Sequence, residues 1–361
     1  MFSVLIIYEL FVAALSTFLV WHFPTSGGLS WLLGLGFFTA FNGLFFFMRL
    51  PKKNTSLSSG LTILWSFLLA VVSYLIIIFI MHDFLLIIPP YGHLYFSYPH
   101  HFTGFFVLSA IIISFYAVWN TQNIKIKHYR LATTKKVSVK VAFLSDLHIS
   151  PNNMSATRLS DILSKLTDLK PDLVIMGGDI IEMRPDYFME RALQEQMKKF
   201  TARFPVIAVV GNHEYYGGSI TENIFAMQQT GILILKDAVR YIPERNIALI
   251  GRDDKTNPHR MPLSRLMENI PDSVYKIVID HDPSSLAETM KTTADLQLSG
   301  HTHNGQLFPF NLLVKYMFLN AYGYHKLNHL DSIVSSGVGI WGPHLRIGTH
   351  NEIVVIDISD H

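Results

Sequence analysis

The chain has 361 residues, enough for two domains, and a formal net charge of +2, which argues against a nucleic-acid binder because such proteins carry a strong basic patch. It contains no cysteine, which excludes disulfides, thiolate catalysis and cysteine-ligated zinc. The averages conceal a split, since residues 1–124 carry only Glu9, Arg49, Lys52, Lys53 and Asp83 as charged side chains.

In chain order, the first elements are four apolar stretches, at about 3–22, 29–48, 60–81 and 102–119. Each reaches the roughly 20 residues that a membrane-spanning helix needs. They predict a four-helix transmembrane bundle over residues 1–120, with the lipid bilayer as its partner. Arg49, Lys52 and Lys53 fall between the second and third stretches, and Lys125, Lys127, Arg130, Lys135 and Lys136 follow the fourth. The other two loops hold no Lys or Arg, so the positive-inside rule puts both chain ends on the cytoplasmic side of an inner membrane. The first stretch lacks a basic flank and a cleavage signature, which marks a retained span. Glu9, inside it, reads as a carboxylate snorkelling or pairing near the interface. The loop 83–102, with Pro89, Pro90, His93, His100 and His101, reads as an interfacial aromatic belt in preference to a metal site.

Beyond residue 120, short β-branched runs alternate with helical patterns. Val137–Leu144, Leu173–Met176, Val206–Val210, Ile247–Ile250 and Lys276–Ile279 each stop at a Gly, Asp or His cluster. That is the pattern of buried strands with functional loops at their C-terminal ends. Helices are predicted at Thr157–Leu169 and Pro185–Phe200, and closing strands at Ile333–Ser335 and Glu352–Ile358. Part of the basic linker, Ile124–Leu131, reads as an edge strand. The fold class is α/β, a layered α/β/β/α sandwich over residues 121–361 preceded by the helical bundle.

Five motifs sit at the strand ends: Asp146-Leu147-His148, Gly177-Gly178-Asp179, Gly211-Asn212-His213-Glu214, His281-Asp282-Pro283 and Gly300-His301-Thr302-His303. Each alone is weak. Together they supply carboxylates, imidazoles and an amide, a mixed donor set that suits Mn, Fe or Zn. Two such ions about 3.5–4 Å apart can clamp a phosphoryl group and generate hydroxide.

As a set, the motifs resemble the calcineurin-like metallophosphoesterase superfamily, in its bacterial membrane-associated branch. Leu298–Gln306 is similar to the branch signature, with Asn304 where Gly is usual, and Gly337–Pro343 with Arg346 and Gly348 is similar to its C-terminal segment. The resemblance covers residues 122–359 and implies two divalent ions. It implies Asp146, His148 and His303 on the first, Asn212, His281 and His301 on the second, and Asp179 as the bridge. It implies that His213 donates a proton to the leaving oxygen, and that Glu182, where relatives carry Asp, orients it. Arg252 and Asn304 are candidates for contacting substrate phosphate, and Arg252 reads equally as an ion-pair partner of Asp253 or Asp254.

The expected activity is hydrolysis of phosphodiester or pyrophosphate bonds by in-line attack of metal-bound hydroxide, on a lipid-linked or nucleotide-containing substrate. The alternatives are a soluble phosphodiester, with the bundle as anchor only, or a non-enzymatic scaffold that retained the fold. The apolar segment Phe308–Leu327, directly after the last motif, is either core packing or a membrane-contacting lid.

Overall fold

The computed structural model describes residues 2–23, 34, 37, 38, 42 and 56–360. Most of the expected span at 29–48, the basic cluster after it and the Glu9 side chain lie outside the described residues. The chain divides into two compact units, Met1–Asn120 with Pro343–Leu345, and Thr121–Gly342 with Arg346–His361.

The first unit contains α1 (Phe2–His22), α2 (Ser56–Leu85), α3 (Pro89–Ser97) and α4 (Pro99–Asn120). The helices α2 and α4 meet through small and aromatic residues, with Ala70, Ala110, Ala117, Phe79 and Phe106 buried. Phe79 sits edge-on to Phe106 at 5.9 Å and stacks on His22 of α1 at 4.7 Å. The expectation of four spans is met in part: among the described residues, Gly60–Leu85 and Pro99–Asn120 are long and apolar enough to cross a membrane, and Val12–His22 is a shorter apolar helix. Within the most apolar window of each of the two long helices, 28% is buried among the described residues. The histidine-rich loop is largely helical, being α3, and His82 hydrogen-bonds the Tyr91 hydroxyl across 2.7 Å.

The second unit holds two six-stranded sheets. The first sheet is built from β1 (Ile124–Thr133), β2 (Ser138–Leu144), β3 (Leu173–Gly177), β4 (Val206–Val209), β5 (Leu233–Ile234) and β12 (Asn351–Asp360), in the order β1-β12-β2-β3-β4-β5. The second comprises β6 (Ala238–Ile242), β7 (Ile247–Gly251), β8 (Tyr275–Ile279), β9 (Leu296–Ser299), β10 (Gly323–Leu327) and β11 (Leu330–Val334), in the order β10-β11-β9-β8-β7-β6. β2 through β5 run parallel, as do β7, β8, β9 and β11.

Alternation along β2 explains the layering. Val141 and Phe143 face the second sheet and join Ile175, Val209, Ile277 and Leu298 in the central core. Ala142 and Leu144 face the other way, into a core with α5 (Ala156–Leu169) and α6 (Arg191–Thr201). On the far side, Ile250 and Val278 pack on Leu263 and Met267 of α9 (Leu263–Met267), numbered after the short α7 (Asn212–Tyr216) and α8 (Ile220–Gln228). A period of two with both faces buried gives near-continuous apolar strands. α5 is capped by Ser155, whose hydroxyl accepts the Arg158 amide. α6 starts at Arg191, later than Pro185, because Pro185–Glu190 forms turns that bury Tyr187 and Phe188.

The segment after the last motif divides between its two readings. Its helix, α11 (Phe310–Met317, after α10 at Leu286–Thr289), buries none of its residues, whereas Asn320 and Ala321 are buried and Gly323–Leu327 pairs with β11.

Candidate metal centre

Parallel strands direct their C-terminal loops to one edge of each sheet, and the motifs lie on those loops. Asp146 and His148 follow β2, Asp179 follows β3, Asn212 and His213 follow β4, His281 follows β8, and His301 and His303 follow β9. Five of the seven expected ligands, Asp146, His148, Asp179, His301 and His303, have positive φ. Non-glycine residues take this conformation at a cost on the order of 1–3 kcal/mol each, and it clusters at functional sites. Gly178, at φ +91°, also makes room, since a Cβ there would lie 2.7 Å from Nδ1 of His281.

The side chains converge in three overlapping groups: Asp146, His148 and His303; His148, Asp179 and His213; Asp179, His281 and His301. Within each, the nearest donor atoms lie within 4.8 Å of one another. Among the described residues, no other group of His, Cys, Asp and Glu gathers this way. His301 Nδ1 lies 2.9 Å from Asn212 Oδ1, which brings the amide into the same cluster.

The proton positions show what the cluster can hold. His148 Nδ1 faces the Glu182 carboxylate at 2.7 Å, so Nδ1 carries the proton and Nε2 presents a lone pair. That Nε2 faces His303 Nε2 at 3.1 Å. Likewise His281 Nδ1 donates to the Gly177 carbonyl at 2.7 Å, which turns Nε2 towards Asp179 Oδ2 at 3.1 Å. Lone pairs facing lone pairs in a water-poor cleft need a proton or a cation between them, and imidazoles oriented from behind by a carboxylate or carbonyl are the usual form of metal-ligating histidines. The donor set therefore fits divalent cations.

Burial would lower the His281 pKa, but the Asp179 carboxylate raises it well above the ordinary histidine range, so without a metal ion a proton stands between them where the geometry would admit a cation. Burial alone would raise the Asp179 pKa, but His281, His148 and His213 outweigh it and hold the group well below the usual carboxylate range. Glu182, which burial would also raise, is lowered to about 2 by hydrogen bonds from His148 and His213. Burial, followed by the neighbouring His148 and Arg346, pushes His303 well below the usual histidine range, so its ring is neutral. His213 Nδ1 lies 3.0 Å from Glu182 Oε1, and its Nε2 is 3.9 Å from Asp179 Oδ2. Glu182 thus supports two imidazoles at once.

Two further residues organise the site, and the sequence reading gave them no role. Glu214, fully buried, accepts from Gly211 N at 2.7 Å, Asp179 N at 3.1 Å, Ile180 N at 2.6 Å and Ile181 N at 2.8 Å. One carboxylate therefore ties the loop carrying Asp179 to the loop carrying Asn212. Its place three residues after Gly211, inside a motif of candidate ligands, was the available signal. Arg346, also fully buried, donates to the carbonyls of Ser336, Gly339 and His350 and lies 3.3 Å from His303 Nδ1. It braces the loop that backs His303. Ser145 donates to Asp146 Oδ2 at 2.5 Å.

Arg252, the candidate for a phosphate contact, lies buried among carboxylates. It is 1% exposed, pairs with Glu288 at 3.2 Å and donates to the Met261 carbonyl. A buried guanidinium so engaged is a structural brace, and its partners are Glu288 and Asp237, not Asp253 or Asp254. Asn304 is buried beside His303, and its Oδ1 has no hydrogen-bond partner.

Comparison with known proteins adds an independent line. Residues 139–305 match the family described as calcineurin-like phosphoesterase. An uncharacterized metallophosphoesterase of Campylobacter jejuni is 29% identical over 266 residues, covering 70% of each chain. A Danio rerio transmembrane protein with metallophosphoesterase domain is 28% identical over 232 residues, covering 60% of this chain and 52% of its own. A Bacillus subtilis uncharacterized metallophosphoesterase is 27% identical over 234 residues, covering 61% and 79%. The chain thus spans about half the length of the vertebrate relative.

Proposed function

With a calcineurin-like phosphoesterase domain over residues 139–305, the chain belongs to the metal-dependent phosphoester hydrolases of that family, and we propose that it is a membrane-bound two-metal hydrolase of phosphodiester or pyrophosphate bonds. The observation that carries the reading is the set of imidazole and carboxylate donors turned towards one another, with the proton on the far nitrogen of His148 and His281.

Asp146, His148 and His303 would hold one cation, and Asn212, His281 and His301 the other. Asp179 would bridge, because Oδ2 lies 3.1 Å from His281 Nε2 and 3.9 Å from His148 Nε2. Bound there, two divalent ions such as Mn, Fe or Zn would polarise the phosphoryl oxygens and acidify a water. His213 is not needed as a ligand. Glu182 holds its Nδ1–H, which leaves Nε2 to carry a proton to the leaving oxygen. Glu182 is the orienting base of that pair, and the shared carboxylate fixes the His213 ring relative to His148. Asn304 would offer its amide to a phosphate oxygen from beside His303.

The membrane part of the proposal is supported by the two long apolar helices, and by the relatives' description as transmembrane proteins. The distribution of Lys and Arg favours a bacterial inner membrane with the catalytic unit cytoplasmic. A bilayer-resident enzyme is suited to a lipid-linked substrate.

The test uses the purified full chain loaded with Mn, beside Asp179→Asn. Each is given a chromogenic phosphodiester and a bacterial lipid extract, the latter followed by mass spectrometry. Loss of one phosphorylated lipid with wild type alone supports the full reading. Cleavage of the chromogenic diester with no lipid change moves the substrate to soluble phosphodiesters. Equal behaviour of the two proteins on both substrates overturns the hydrolytic assignment.

A further inference from the structure

The helix α11 leaves most of its large apolar side chains outside. A surface helix of a soluble protein turns apolar residues inward and polar ones to water. Here Asn311 turns inward: a Cβ on Gly348 would lie 3.1 Å from its Nδ2. Val314 and Phe318, on the same stripe, are half-buried. The opposite face presents Phe310, Leu313, Tyr316 and Met317, with Tyr316 90% and Met317 72% exposed. Leu319, just beyond, is 58% exposed. Lys315 is the one charged side chain of the helix.

From this we infer that Phe308–Leu319 is a membrane-interface element, which sinks its outer face into the headgroup and acyl boundary of the bilayer. The inference rests on reading Gly60–Leu85 and Pro99–Asn120 as spans. Three observations favour lipid over a protein partner. The exposed set combines aliphatic chains with a tyrosine and a lysine, the mixture found at membrane interfaces. The same chain contains two helices long and apolar enough to cross a membrane, each with 28% of its most apolar window buried among the described residues. Only three residues separate the end of α4 at Asn120 from β1 at Ile124, so the link between the expected spans and the second unit is short.

The position of the segment has a chemical consequence. The turn His303–Gly305 follows the last expected ligand, and α11 packs directly against it. A helix seated in the interface there would bring a lipid-borne phosphoester to the metal cluster without leaving the membrane.

The experiment exploits the absence of cysteine. Single cysteines are placed in the full chain as Leu313→Cys and Tyr316→Cys on α11, Leu64→Cys on α2 and Glu195→Cys on α6, each carrying an NBD fluorophore. The chain is reconstituted in nanodiscs of phosphatidylethanolamine and phosphatidylglycerol. Quenching by doxyl-labelled lipid is compared with quenching by aqueous iodide. The expected result is lipid quenching at 313 and 316 at least about twofold above that at 195, and iodide quenching correspondingly weaker. Strong iodide quenching at 313 and 316, with position 64 quenched by lipid, overturns the inference and leaves the membrane reading intact. Protection of 313 and 316 from both quenchers means that a protein, such as a second copy, covers the helix, and also overturns it. Failure of lipid quenching at position 64 itself overturns the membrane reading on which the inference rests.

Discussion

The two units depart from the ordinary soluble pattern in opposite directions. In the catalytic unit Asp146, His148, Asp179, Glu214, His281 and Arg346 are charged or polar side chains sunk out of water. In the helical unit Leu64, Ile112, Phe105 and Trp119 are apolar side chains standing outside. Either arrangement is costly in water, and each becomes favourable only with a partner of matching chemistry. Glu214 and Arg346 find that partner in the backbone; for the imidazoles and the other carboxylates we propose divalent metal, and for the exposed apolar surface the hydrocarbon of a bilayer.

Breaking the polar side of this comparison should give the largest effects. Asp179→Asn removes the carboxylate shared by two of the three groups and proposed as the bridge. Turnover should fall by about 10³-fold or more, with metal content by elemental analysis dropping towards one ion per chain or fewer. His213→Ala should lower kcat by about 10²–10³-fold with metal content unchanged, a split that separates proton donation from ligation. Glu214→Gln substitutes two amide hydrogens where four backbone N–H groups converge, so metal affinity by titration calorimetry should weaken about 10–100-fold. On the apolar side, Ile112→Lys puts a charge on an exposed face of α4 at a nominal cost of about 3 kcal/mol against insertion. The amount recovered in the membrane fraction should fall severalfold, whereas an exposed Ile→Lys change on a soluble helix would raise solubility. The smallest catalytic change is expected from Arg252→Met. Turnover should stay within about threefold, while thermal denaturation shifts downward because Glu288 and Asp237 lose their buried cation. A large rise in KM for that variant would restore Arg252 to phosphate binding.

Much of the site was legible because parallel strands end in functional loops. The runs ending at Asp146, Gly177, Gly211 and Asp280 located the loops, and the structure gathers the residue types found there. Glu214 was spelled out within a motif yet assigned no role, since a carboxylate that binds only backbone amides has no partner in the sequence to betray it. Arg252 looked available because a guanidinium beside two aspartates reads as surface. Its ion partner, Glu288, comes from a distant helix. Phe308–Leu327 could not be resolved from sequence at all, because an apolar run looks the same whether protein or lipid surrounds it. The structure leaves α11 exposed and buries Asn320 and Ala321, a division set by contacts that are remote in sequence.

The pairing of β12 has a consequence for how the catalytic unit comes into being. β12 lies between β1 and β2, parallel to the first over ten residue pairs and antiparallel to the second over six. The latest of the described strands thus separates two of the earliest. The first sheet cannot close during synthesis of its early strands. The apolar faces of β1 and β2 must wait for residues made far later, which is a high-contact-order route and a slow one. During that interval the helices made first are already available to the membrane. Anchoring would therefore precede catalytic competence, and a nascent chain stalled before Asn351 should be inserted yet inactive.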